Sequence, residues 1–175
     1  MEILKYKKIA AEFRPWSEAY LVVAKQLQDY ISTEDFSVDH IGSTSFRVGG
    51  KGIIDLSLLY PEGALEDAVR HVLALGFQDQ ISDKPFPPER PRKDGAVTLD
   101  GVTYYIHLHI IEAGSDAHRK HTRYKEYMLG NPEARAEYEA AKKAILQQGV
   151  TEQEAYGKLK SPFVKARLKG LAVNA

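Results

Sequence analysis

The apolar run at residues 52–60 carries a single carboxylate. Ile54, Leu56 and Leu58 alternate with Asp55 and Ser57, so in a strand the carboxylate faces away from the apolar side. Residues 105–110 repeat the pattern, with Ile106, Leu108 and Ile110 on one side and Tyr105, His107 and His109 on the other. If both apolar sides pack on the same helices, Asp55, His107 and His109 share one open face. A carboxylate beside two imidazoles can hold a divalent metal or move a proton. Any one of the three alone reads first as a structural residue served by local hydrogen bonding; their convergence beside a Gly-Ser turn is what points to a site.

That turn is Gly42-Ser43-Thr44-Ser45, reached from a short strand at residues 36–41. Between it and Asp55 lies Arg47-Val48-Gly49-Gly50-Lys51-Gly52, three glycines around one lysine, where backbone N–H groups can lie open to an anion. Further basic residues gather late in the chain: Arg119, Lys120, Arg123 and Lys125, then Lys158, Lys160, Lys165, Arg167 and Lys169. A solvated helix face accounts for most of them, and Lys160 or Arg123 is a candidate phosphate contact. Tyr127, Tyr138 and Tyr156 read as packing at the edge of a core. His118 and His121 stand one helical turn apart and offer a possible zinc pair.

The elements that must position these residues follow from periodicity. Tyr20, Val23, Ala24, Leu27, Tyr30 and Ile31 mark a helical face, with Ser17 as N-cap and Trp16 stapled on Leu21. Leu65, Ala68, Val69 and Val72 mark a second helix ended by Gly76, and a strand is expected at residues 77–81. Residues 84–92 hold four of the eight prolines and read as an extended loop, a lid or rim. Asp100-Gly101 joins two apolar arms as a hairpin turn. Helical periodicity resumes at Ser115 and breaks at Gly130-Asn131-Pro132, where Asn131 can cap. It continues through Ala134, Tyr138, Ala141 and Ile145, with restarts at Thr151 and at Ser161-Pro162. The expected architecture is one α+β domain over residues 1–175, a mixed β-sheet flanked by helices with a helical C-terminal half.

Composition bounds the function. The 175 residues are 43% hydrophobic and 27% charged, enough for one sizeable core. Twenty-four basic residues balance 24 acidic ones, which argues against an extended nucleic-acid surface. With no cysteine, disulfides, thiolate zinc sites and cysteine nucleophiles are excluded. The first residues lack the apolar run of a signal peptide, and no stretch approaches the roughly 18 apolar residues of a membrane span; a cytoplasmic protein is expected.

The order His40-Ile41-Gly42-Ser43-Thr44-Ser45, Lys51, Ile53-Ile54-Asp55, then His107-Leu108-His109, Tyr127 with Asn131-Pro132, Tyr138 with Lys142, and Tyr156 with Lys160 and Phe163 resembles the signature of the GrpB family. That family is a branch of the polymerase-beta-type nucleotidyltransferase superfamily. The resemblance implies a nucleotidyltransferase-like fold that binds a nucleoside triphosphate and a divalent metal, Mg or Mn, and transfers a nucleotidyl group to an acceptor the sequence does not reveal. It further implies that Gly42 and Ser43 open a helix and hold phosphates, with Lys51 balancing the charge and Asp55 anchoring the metal. Two departures stand out. Active members of the superfamily carry a second acid two residues after the first, where this chain has Ser57. The family's proline-bearing loop is replaced by Phe46-Arg47-Val48-Gly49-Gly50. Two other readings therefore stand beside transfer: a catalytically weakened nucleotide binder, and a metal-dependent phosphohydrolase using Asp55, His107 and His109. With imidazoles in place of acids, His107 or His109 is expected to join Asp55 on the metal and to favour manganese over magnesium.

Overall fold

The computed structural model describes residues 1–82 and 84–147. Helix α1 (Ala19–Ile31) leads to strand β1 (Ser37–Ile41), a short helix α2 (Gly42–Ser45), strand β2 (Ile54–Tyr60) and helix α3 (Leu65–Ala74). Strands β3 (Gln78–Asp79), β4 (Arg92–Leu99) and β5 (Val102–Glu112) follow, then helices α4 (Asp116–Gly130) and α5 (Pro132–Gln147). The five strands form one mixed sheet in the order β1-β2-β5-β4-β3. Only β2 and β5 run parallel; every other pairing is antiparallel.

The alternation read in the sequence is realised. Ile54, Leu56, Leu58, Ile106, Leu108 and Ile110 are fully buried and pack with Leu27 and Ile31 of α1 and Ala68 and Val72 of α3. Burying a side chain of this size contributes about 1.5–3 kcal/mol, so this layer fixes the register that sends the polar residues to the opposite face. The hairpin between β4 and β5 turns on Asp100 and Gly101, both at positive φ (51° and 77°). Gly76 ends α3 at φ 111°, the left-handed conformation the sequence requires there. The outer edge of β1 is covered by side chains: Gln28 Nε2 donates to the Val38 carbonyl and Lys125 Nζ to the His40 carbonyl, each at 2.8 Å.

A second, smaller apolar cluster joins the segment after the Gly-Ser turn to the helical half: Phe46 and Val48 pack with Met128, Ala134 and Tyr138. Ser115 caps α4, accepting the His118 N–H at 3.3 Å.

Several local expectations are corrected. Helix α1 starts after Glu18 and has no side-chain cap; Ser17 contributes only its carbonyl, to Tyr20 N–H at 3.2 Å. Trp16 donates its indole N–H to the Thr44 carbonyl at 2.8 Å, so it ties the chain entry to the Gly-Ser turn. The strand after Gly76 shrinks to two residues because it pairs only with the start of β4. Asn131 serves both helices: its side-chain amide donates to the Tyr127 carbonyl of α4 at 2.7 Å, and its own carbonyl accepts the Arg135 N–H at 3.1 Å as α5 begins at Pro132. The helices expected from Thr151 and Ser161, together with Tyr156 and Lys160, lie outside the described residues. Among those described, no helix is long and apolar enough to cross a membrane.

Candidate functional site

Asp55 is the second residue of β2, and the parallel register places it opposite His107, with Ser57 opposite His109. His107 Nδ1 lies 3.6 Å and His109 Nε2 3.4 Å from the same Asp55 oxygen, Oδ1. The other oxygen, Oδ2, faces the Gly-Ser turn: a Cβ placed on Gly42 would sit 2.7 Å from it. The carboxylate is thus divided between imidazoles on one side and backbone on the other. Its side chain remains 29% exposed, against 9% and 16% for His107 and His109, so the open route to the cluster leads to Asp55.

Electrostatics keep this carboxylate charged. Burial pushes the Asp55 carboxyl up, but hydrogen bonding and charge interactions with His107 and His109 together outweigh it and hold it well below the usual carboxylate range. Burial lowers the His107 imidazole despite the neighbouring Asp55. On the core side of the sheet, His40 Nε2 meets Thr44 Oγ1 at 2.8 Å, and burial together with Lys125 lowers its pKa to about 4.

Gly42 and Ser43 do begin a helix, but one of four residues, so any phosphate held there would meet individual amides more than a helix dipole. Gly42 needs its positive φ of 73° and its missing Cβ to stand against Asp55. The glycine-rich segment is not open to a ligand as expected. Gly49 N–H donates to Glu139 Oε1 at 2.9 Å, and Gly50 exchanges backbone bonds with Arg14 at 2.6 and 3.0 Å. Its glycines serve close packing: Cβ atoms on Gly49 and Gly50 would meet Phe13, Glu139 and Lys142. Lys51 has its carbonyl held by the Arg14 guanidinium at 2.7 Å. Lys160 lies beyond the described residues.

Three contributors were not placed at the site by sequence. Tyr6, from the segment before α1, puts its hydroxyl 3.1 Å from His107 Nε2. Phe86 of the proline-rich loop meets the His109 ring edge-on, centroids 5.4 Å apart, and carries the Arg92 guanidinium at 5.4 Å. Tyr60 Oη donates to the Glu89 carbonyl at 2.5 Å and Ile110 N–H to the Pro91 carbonyl at 2.8 Å, so the loop is a fixed rim. From α4, His121 meets the His109 ring edge-on, centroids 6.1 Å apart, with burial and His109 lowering its pKa to about 4. Its neighbour His118 turns toward Asp39, 3.7 Å away, and accepts the Gly114 N–H. These two histidines diverge, and among the described residues no three His, Asp or Glu side chains form a group arranged to hold a metal ion. A zinc site built on the pair has no support here.

A five-stranded mixed sheet flanked by helices, with a Gly-Ser turn set against a strand carboxylate, is the nucleotidyltransferase fold. The structure is similar to that of the GLD-2/RNP-8 complex, with a TM-score of 0.50 and 16% identity over 77% of this chain and 54% of that one. Cid1 in complex with the UTP analog UMPNPP aligns at a TM-score of 0.49 and 13% identity over 71% of this chain and 39% of its own. The chain belongs to the GrpB family, whose model, described as GrpB protein, matches residues 8–169. Among its relatives, UPF0157 protein SCO7215 of Streptomyces coelicolor is 26% identical over 154 residues, 86% of this chain and 76% of that protein. The chain thus spans most of that relative but about half or less of the two solved structures.

Proposed function

We propose that this protein binds a nucleoside triphosphate with a divalent metal, Mg or Mn, at Asp55 and transfers a nucleotidyl group to an acceptor of unassigned chemistry. The observation that carries the reading is the close approach of Asp55 Oδ2 to Gly42, where a Cβ would lie 2.7 Å from it, so that an ionised carboxylate stands against a turn with no side chain in the way. Asp55 would hold the metal through Oδ2, with triphosphate oxygens and water filling the other positions, the usual manner of magnesium in phosphoryl-transfer sites. When bound, the metal supplies charge neutralisation on the phosphates. Gly42 and Ser43 would donate backbone N–H groups to the phosphate chain, and Lys51 and Lys160 would add positive charge. His107 and His109 orient Asp55 through Oδ1; a transition metal would draw one of them in as a ligand, magnesium would leave both as donors.

A second reading, binding without turnover, draws on Ser57. It stands where a second acid would, is 2% exposed, and its Oγ has no hydrogen-bond partner among the described residues. The experiment separates the two. With a panel of α-labelled nucleoside triphosphates, Mg or Mn, and a cell extract to supply the acceptor, transfer moves the labelled nucleotidyl group onto an acceptor as pyrophosphate leaves, and Asp55→Asn abolishes both. Metal-dependent binding with no pyrophosphate selects the second reading, and orthophosphate release selects phosphohydrolysis. No metal-dependent binding of any triphosphate overturns the proposal.

A further inference from the structure

We infer that Tyr6 is a positioning residue for His107, its hydroxyl holding the imidazole in the tautomer that presents Nδ1–H to Asp55. An ionised carboxylate repels a bare ring nitrogen and attracts an N–H, so the nitrogen facing it, Nδ1 at 3.6 Å from Asp55 Oδ1, is the one that the charge favours as N–H even beyond hydrogen-bond distance. In a neutral imidazole Nε2 is then a bare acceptor. The His107 side chain is only 9% exposed, so Nε2 needs a donor from the protein, and the Tyr6 hydroxyl stands 3.1 Å from it.

Tyr6 is itself held in place. Its backbone N–H donates to Gln78 Oε1 at 2.9 Å, and two residues earlier Leu4 exchanges backbone bonds with Ala96 of β4 at 2.7 and 3.0 Å. Its ring lies edge-on against Tyr105 at 5.6 Å, and the residue is 4% exposed. The first residues of the chain are therefore a built wall of the site. Tyr6 precedes residues 8–169, so the family match does not account for it.

A phenol both donates and accepts. If Nδ1 gives up its hydrogen to take a metal beside Asp55, a step that rests on the function proposed above, Nε2–H can donate back to the same Tyr6 oxygen. The contact survives the exchange of tautomers, and a phenylalanine would serve neither.

The test needs neither nucleotide nor metal, so its outcome is separate from that of the proposed function. Histidine side-chain nitrogens are observed by long-range 1H–15N correlation in metal-free protein above pH 7, with His107 assigned from His107→Ala. The expected result is a single Nδ1–H tautomer for His107 in the parent and an exchange-averaged or Nε2–H ring in folded Tyr6→Phe. Should Tyr6→Phe not fold, the parent decides: a coupling from a slowly exchanging Tyr6 hydroxyl proton to Nε2 supports the inference, and its absence overturns it. An Nε2–H tautomer in the parent, or a His107 signal unmoved in Tyr6→Phe, also overturns it.

Discussion

Gly42 and Asp55 occupy each other's space: a Cβ on Gly42 would lie 2.7 Å from Asp55 Oδ2 and 3.1 Å from its Cβ. Residues of two different elements thus fix the distance between the turn and the carboxylate.

Gly42→Ala should destabilise on two counts, the left-handed backbone at φ 73° and the collision with Asp55. The first costs about 1–2 kcal/mol; the second adds to it. In an Asp55→Ala background the carboxylate part of the collision is gone, so the same substitution should cost measurably less. Urea unfolding of the four proteins gives the coupling. Additive effects would show that the two residues do not touch.

The convergence of Asp55, His107 and His109 was legible because strand parity is a strict period of two and the apolar residues on both strands declare which face is buried. Their division of the carboxylate was not, since it depends on strand register, which one sequence does not contain. The glycine-rich segment misled for a related reason: missing side chains suit an open anion site and a close approach of backbones equally, and Gly49 and Gly50 serve the second through Glu139, Arg14 and Lys142. Tyr6, Phe86 and His121 reach the site by long-range packing, for which local spacing gives no signal.

Metal preference should distinguish the roles of the histidines. If an imidazole joins Asp55, manganese will support triphosphate binding better than magnesium, and His107→Ala or His109→Ala will reduce that advantage several-fold. A magnesium preference untouched by either substitution would leave both histidines as donors to Oδ1.

Acid should weaken the fold well before carboxylates titrate. His40 has a pKa of about 4 when folded against an ordinary 6.5, and His121 is lowered likewise. Between pH 6.5 and 4 the unfolded chain binds protons that the folded one refuses, so stability falls as pH falls through that window. For buried His40 the loss is on the order of 3 kcal/mol when complete. The lowered Asp55 pKa acts elsewhere: its contribution persists above about 3.8 and is lost only as pH falls through its folded value. Urea unfolding at pH 7.5, 6 and 5 checks this, and His40→Gln should flatten the slope. A stability constant over that range would contradict the buried, neutral histidines.

Arg47 is an exposed, non-glycine residue at φ 68°, with its guanidinium 5.8 Å from the centre of the Trp16 ring. Arg47→Gly removes the backbone strain, about 1 kcal/mol, and loses a cation–π contact of about 0.5–1 kcal/mol. A small net gain or no change in melting temperature is expected, whereas Arg47→Val should lower it by several degrees. Equal stability of the glycine and valine variants would contradict the left-handed turn.

Whether Asp55 couples metal to nucleotide is decided by titration calorimetry of a nucleoside triphosphate with and without Mn or Mg, on the parent and on Asp55→Asn. Asparagine keeps the shape and removes the charge. The expected result is a folded variant whose triphosphate affinity no longer depends on metal, about tenfold or more weaker than the parent's with metal present, a change of about 1.4 kcal/mol. Metal-dependent affinity unchanged in folded Asp55→Asn would remove Asp55 from the site.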